Sequence, residues 1–108
     1  MMFNPVPKPV HKRRIPKRGE RGKFDAKTRQ KIWERDRGLC QQCFRRGEAI
    51  HHVMPKSSGK GRGVFTNGLV LCNDCHTEIH KSYELLEYWI NVFTDRYGPD
   101  FYKDKYDV

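Results

Sequence analysis

Apolar positions along the chain change their period from one stretch to the next. Between Phe24 and Gly38 the segment FDAKTRQKIWERDRG carries Ile32 and Trp33 on an otherwise charged run. That is the sparse stripe of an amphipathic helix, with Asp25 as its cap and Gly38 as its stop. Glu48-Ala49-Ile50-His51-His52-Val53 is short, partly β-branched and closed by Met54-Pro55, which predicts a strand. The following KSSGKGRGVFTNG has four glycines and no apolar period, so it reads as a loop of functional length. Leu69-Val70-Leu71 reads as a second strand. From Asn73 the period becomes helical, and Leu85, Leu86, Trp89, Ile90, Val92 and Phe93 carry it as one helix to the break at Tyr97-Gly98-Pro99. Trp33, Trp89 and Phe93 are assigned to the core rather than to base stacking, because apolar side chains at helical spacing pack. The resulting order is helix, knuckle, strand, long loop, strand, helix, which predicts a small α+β domain.

Composition sharpens this picture. With 108 residues, 36% hydrophobic and 32% charged, the chain is sized for one domain whose core is small enough to need a cross-link or a metal. No apolar run approaches the roughly 18 residues of a membrane span, so no membrane partner is expected. The start MMFNPVPKPVHKRR has no apolar secretory stretch. A cytoplasmic setting is therefore the expectation, and there paired cysteines stay reduced and hold metal more often than they form disulfides.

The net charge of +9 is unevenly placed. Residues 1–23 hold eight Lys or Arg against one Glu, residues 24–80 ten against six, and residues 81–108 four against six. The first stretch reads as a basic, flexible arm suited to a polyanion, with salt-dependent binding and little sequence discrimination. A solubilising tail is the plainer alternative. Residues 24–97 are read as the folded domain and 98–108, with Phe101, Tyr102 and Tyr106, as a C-terminal tail.

Cys40 and Cys43 form one CxxC pair, and Cys72 and Cys75 a second, 28 residues further on. Two such chelating turns supply the four thiolates of a closed, tetrahedral, structural zinc site. Two disulfides or a redox CxxC are the alternatives, disfavoured by compartment and by the second pair respectively. Four of the five histidines, His51, His52, His76 and His80, lie within or beside the stretch the cysteines enclose. His76 and His80 are one helical turn apart and so share a face, a geometry that chelates a divalent cation. Neighbouring His51 and His52 point to opposite faces of a regular strand, so to serve one site they must lie at the strand's end or approach the substrate from different sides, one binding metal while the other meets water. Because four thiolates already fill a zinc shell, the imidazoles imply a second, open metal site.

His51-His52, Asn67, His76 and His80, framed by the two CxxC pairs, resemble the HNH endonucleases of the zinc-framed type over roughly residues 29–81. Asn67 lies 15 residues after His52, His76 nine after Asn67, and His80 four after that. Many family members carry Asp where His51 stands here. The resemblance implies a ββα-metal fold with flanking helices, stapled by the four-cysteine zinc site, in which hairpin and helix face one cleft. It implies that His52 is the general base for in-line attack of water on a DNA phosphodiester, leaving 5′-phosphate and 3′-hydroxyl ends. His51, His76 and His80 would hold the catalytic divalent metal, and Asn67 would tie its loop to the backbone and hold the base's strand in place. The short chain with its basic arm is also similar to free-standing HNH proteins of phages and bacteria, some of which act beside a terminase.

Three acidic residues lie near the expected cleft, Glu48, Asp74 and Glu78, and they form no close pair, which excludes a two-metal carboxylate nuclease. An all-imidazole site favours borderline ions such as Mn²⁺, Ni²⁺, Co²⁺ or Zn²⁺ over Mg²⁺, while phosphate oxygens in the complex make Mg²⁺ and Mn²⁺ usable, so the expected order is Mn²⁺ first, then Mg²⁺ or Ni²⁺. Lys56, Lys60 and Arg62 of the loop, with Arg45 and Arg46 of the knuckle, are the expected DNA contacts. No base-reading helix is evident, so nicking or cutting with weak sequence preference is expected. The rival reading is a non-catalytic, zinc-finger-like DNA-binding module. It accounts for the cysteines and the charge but has no use for the histidines at this spacing. A homing or retron-type fragment that depends on a targeting partner also stays open.

Overall fold

The computed structural model describes residues 15–107. The basic arm's residues 1–14 lie outside the described residues. In chain order the elements are α1 (Arg18–Arg21), α2 (Ala26–Arg35), β1 (Ala49–His52), β2 (Gly68–Leu71), α3 (Asn73–Lys81) and α4 (Tyr83–Tyr97), with single 3-10 turns at Lys56–Ser58 and Phe65–Asn67. β1 and β2 make an antiparallel pair in which Ala49 faces Leu71 and His52 faces Gly68. The fold is thus the expected small α+β arrangement, a two-stranded sheet with helices against it. No helix among the described residues is long and apolar enough to cross a membrane.

Asp25 caps α2 as its position suggests, its carboxylate accepting from Thr28 N–H at 2.8 Å. The helix ends through Arg37 and Gly38, both in the left-handed region at φ 57° and 67°. A side chain at Gly38 would also meet Trp33 Nε1 at 2.8 Å. Only Ile32 of the two expected core positions is buried; Trp33 is 37% exposed. Adjacent residues diverge by about 100° around a helix, so with Ile32 turned to the sheet the indole is carried outward to lie over Gly38.

β2 is buried along its whole length and forms the centre of the core with Ile32, Val53, Ile79, Trp89, Phe93 and Phe101. Its backbone is satisfied beyond the hairpin as well. Val70 N–H donates to the buried Asp36 carboxylate at 3.0 Å, and Val70 O accepts from Gln41 N–H at 3.0 Å. Trp89 is buried with its indole N–H donating to Gln42 Oε1 at 3.1 Å, which meets the polar requirement of a core tryptophan.

Three boundaries differ from the sequence reading. The single C-terminal helix is two, because Ser82 is extended (φ −122°, ψ 110°) and its hydroxyl accepts from Leu85 N–H, starting α4 afresh. The break lets α3 turn its histidines to β1 while α4 turns Trp89 and Phe93 to the core. Residues 98–107 are not an appendage: Phe101 is 3% exposed and packs edge-on against Phe93, with ring centroids 6.0 Å apart. The chain is also packed before residue 24, since Arg21 is bound to Asp104 and Asp107.

Candidate functional site

The two CxxC turns converge. The sulfurs of Cys40, Cys43, Cys72 and Cys75 all lie within 4.8 Å of one another, and Cys43 Sγ is 3.7 Å from Cys72 Sγ. Sulfurs each about 2.3 Å from one tetrahedral ion sit roughly 3.8 Å apart, so the spacing suits zinc. Phe44, at φ 66°, closes the first turn, and Phe44 N–H donates to Cys40 O at 2.8 Å. Cys72 is the N-cap of α3, its sulfur accepting from Cys75 N–H at 3.4 Å.

Gathering four thiols has an electrostatic cost that a dication removes. Burial, with the neighbouring thiols adding to it, pushes Cys75 above its ordinary range. The Arg45 guanidinium holds Cys43 down to about 6. Arg45 Nε donates to Cys43 Sγ at 3.3 Å and Nη2 to Cys72 Sγ at 3.7 Å. Arg45, expected as a DNA contact, is therefore aimed at the thiolate cluster and at Asp74, 3.5 Å away.

The second cluster sits where β1 meets α3. The ligand nitrogens of His51, His76 and His80 lie within 4.8 Å of one another, with His76 Nε2 and His80 Nε2 3.2 Å apart. Nitrogens each about 2.1 Å from one ion are separated by roughly 3.0–3.4 Å, depending on geometry. His51 is 3% exposed, and its Nε2 is buried with no hydrogen-bond partner among the described residues. A buried, unpaired polar atom costs about 1–3 kcal/mol, and a cation shared with His76 and His80 satisfies it. Burial, and after it the neighbouring His76, His80 and His52, push His51 down to about 3, so its ring stays neutral and able to ligate. Burial and His80 lower His76 as well.

His52 ends β1 and faces the same cleft of about 300 Å³, which Pro55, Lys56 and Ser57 also line. The strand's end is what lets both neighbours reach one site. His52 stacks on Phe24 with centroids 4.2 Å apart and 25° between planes, and its Nε2 lies 2.5 Å from Gly22 O. A carbonyl only accepts, so Nε2 carries the proton and Nδ1 keeps its lone pair. Burial lowers the His52 pKa, the Gly22 bond opposes that in part, and Lys56 and His76 add to the lowering. The ring is therefore neutral near pH 7, with one nitrogen free to take a proton.

Asn67 is fully buried in the 3-10 turn before β2. Its Oδ1 accepts from Met54 N–H at 2.7 Å, and its Nδ2 donates to Met54 O at 3.2 Å and Arg62 O at 2.9 Å. The amide thus locks both ends of the loop to the chain that follows His52. It does not line the cleft.

The basic residues fare unequally. Lys56 lines the cleft, and Lys60 and Arg46 are exposed. Arg62, expected as a DNA contact, is engaged within the chain: its side chain is 11% exposed and donates to Asp107 at 3.0 Å through both Nε and Nη2. Among the described residues no carboxylate lines the cleft; Glu48 accepts from Asn73 N–H at the start of α3, and Glu78 accepts from Gln42. Phe24, Gly22 and Arg21 are site-forming residues that the spacing of histidines and cysteines gives no sign of, since they precede the first cysteine by 16 residues or more.

Residues 40–82 match the family model described as HNH endonuclease. No curated protein and no solved structure matches the chain.

Proposed function

We propose that this chain, which carries an HNH endonuclease domain over residues 40–82, is a metal-dependent DNA endonuclease with His52 as its general base. The HNH family is one of nucleases, and its substrate is DNA. The observation that carries the reading for this chain is the buried ring of His51, which converges with His76 and His80 and whose Nε2 has no partner among the described residues, beside an imidazole whose free nitrogen is fixed as Nδ1.

In this reading His51, His76 and His80 hold a divalent ion, Mn²⁺ first and then Mg²⁺ or Ni²⁺, on one side of the cleft. Bound there, the ion supplies Lewis-acid stabilisation of charge on the phosphate and the leaving 3′ oxygen. His52 Nδ1 takes the proton from the attacking water, while Gly22 O and Phe24 keep the ring from turning. Lys56, at the rim, meets the phosphate backbone. Asn67 acts by geometry, holding the chain that follows His52. The four-cysteine cluster, compatible with structural zinc, fastens the knuckle to α3 and so fixes the helix that carries His76 and His80. A cleft lined by imidazoles, with no carboxylate among the described residues, favours one ion over two. The finer proposals are 5′-phosphate and 3′-hydroxyl products, nicking or cutting with weak sequence preference, and action inside a cell or phage-infected host, with a terminase or similar protein for targeting.

The test is relaxation of supercoiled plasmid by EDTA-treated protein after separate return of Mn²⁺, Mg²⁺, Ni²⁺ or Zn²⁺, with His52→Ala in parallel. Metal-dependent cleavage lost in the variant supports the reading. DNA binding without cleavage in every metal refutes it in favour of a binding module.

A further inference from the structure

The carbonyl that orients His52 belongs to a segment outside the matched region, and that segment is held by the other end of the chain. Arg21 Nε and Nη2 donate to the two oxygens of Asp104 at 2.9 and 2.8 Å, and Nη2 also donates to Asp107 at 2.7 Å. Arg62 donates to the same Asp107. These side chains are only 11–19% exposed, and the pairing is two-pronged, the circumstances in which ion pairs hold geometry rather than merely decorate a surface. The backbone is tied at the same place, for Gly63 N–H donates to Arg21 O at 2.8 Å. The strands of chain pass so closely that a Cβ on Gly63 would collide with Lys23 O. Arg62 O, in turn, accepts from Asn67. The two devices that fix His52, the Gly22 carbonyl and the Asn67 amide, thus meet at Arg62-Gly63, and the carboxylates of Asp104 and Asp107 close the ring.

We infer that Arg21, anchored by Asp104 and Asp107, is a positioning residue for His52: the C-terminal segment keeps Gly22 O against His52 Nε2 and so keeps Nδ1 the basic nitrogen. The inference rests on the reading of His52 as the base. Without the carbonyl the neutral ring also populates the Nδ1–H form, in which the nitrogen facing water already carries a proton, and the ring is free to turn off Phe24.

The experiment uses the full, zinc-loaded chain and the pair Asp104→Asn/Asp107→Asn. Removing two negative charges cannot weaken DNA binding electrostatically, so a loss of rate is not a loss of affinity. The expected result is a kcat for plasmid cleavage lower by about tenfold or more, with no rise in KM for DNA. In parallel, nitrogen NMR of His52 should show an Nε2–H ring in the parent and a tautomer mixture in the variant. A kcat within twofold of the parent, or an unchanged His52 tautomer, overturns the inference. Should the double variant lose its zinc and unfold, Arg21→Lys decides by the same two readouts, since it keeps the charge and loses the two-pronged contact. A parent inactive with every metal defeats the nuclease reading alone, because the tautomer still reports whether Arg21 holds Gly22 against His52.

Discussion

His76 Nε2 and His80 Nε2 stand 3.2 Å apart across one turn of α3, with the buried His51 ring 5.2 and 5.8 Å from their centroids. Three imidazoles crowded this closely repel as cations and have no mutual reason to converge, whereas one divalent ion satisfies all three. On the proposed reading, replacing His76 with Ala removes one of three protein ligands. We expect Mn²⁺ or Ni²⁺ affinity at this site, read by calorimetry on protein with its four-cysteine zinc in place, to fall by about 100-fold or more. Zinc content per chain should not change, since the thiolate cluster is separate. An unaltered affinity would remove His76 from the ligand set.

His52→Ala keeps the His51, His76 and His80 cluster and removes the free Nδ1 together with the Gly22 bond and the Phe24 stack. The expected outcome is retained fold and DNA binding with a cleavage rate lower by roughly 10²-fold to 10⁴-fold. Added imidazole offers a second reading, because a small base entering the vacated space beside Phe24 should recover part of the rate. Parent and variant cleaving equally fast would exclude His52 as the base.

Asn67→Ala strips partners from Met54 N–H, Met54 O and Arg62 O in a fully buried position. Each orphaned group costs about 1–3 kcal/mol, so the loss is large for a small domain. Asn67→Asp keeps the acceptor for Met54 N–H and sets a carboxylate against two carbonyls, and it should be no milder. Denaturant melts of both variants should show a lower midpoint, with kcat falling more than DNA affinity. A variant that melts like the parent would show the loop to be held by other means.

Cys72→Ser strikes two structures at once, since Cys72 both joins the thiolate cluster and caps α3. Structural zinc supplies on the order of 10 kcal/mol of apparent binding free energy, and a core of this size has no reserve to replace it. The variant should lose zinc stoichiometry and cooperative melting together, as should the parent under a strong chelator. A zinc-free variant with parental melting would deny the cluster a structural role.

The sequence made the chemistry legible because that chemistry is local in pattern. The CxxC spacing, the i, i+4 pair His76 and His80, the Asp25 cap and the two short strands each announce themselves within a few residues, and the structure assembles them as expected. What stayed hidden depends on contacts across the whole chain. Arg21 meets Asp104 and Asp107 over 83 and 86 residues, and no periodicity encodes that, so the same arginine reads as one more charge on a basic arm. Arg62 likewise reads as a DNA contact until Asp107 is seen beside it. The break at Ser82 was within reach, because serine is a favoured N-cap, but the apolar period runs through it undisturbed. Trp33 and Ile32 show the remaining ambiguity: adjacent apolar residues cannot both face one sheet, and sequence does not say which one yields.

The response to acid separates the two ends of the site. Arg21 holds the Asp104 carboxyl below the usual carboxylate range, and Asp107, though burial pushes it upward, is held lower by Arg62, the Asp104 backbone N–H and Arg21. For such groups the folded pKa is the lower one, so their stabilisation is complete above about pH 4, the unfolded value, and is lost as pH falls from there. His51 acts earlier. Its folded pKa of about 3 lies below the ordinary imidazole value of 6.5, so from about pH 6.5 downward the unfolded chain takes up a proton that the folded chain refuses. Each such proton costs about 1.4 kcal/mol of stability per pH unit. The zinc thiolates also take up protons on unfolding as pH falls, so the ion-pair contribution is read as the difference between variant and parent at equal zinc loading. Denaturant melts across pH 3–7 check this: Asp104→Asn/Asp107→Asn should lie below the parent by a constant amount above about pH 4 and by a shrinking amount below it. A gap that does not narrow below about pH 4 would show that other carboxylates carry the acid response and that the C-terminal ion pairs add little to the fold.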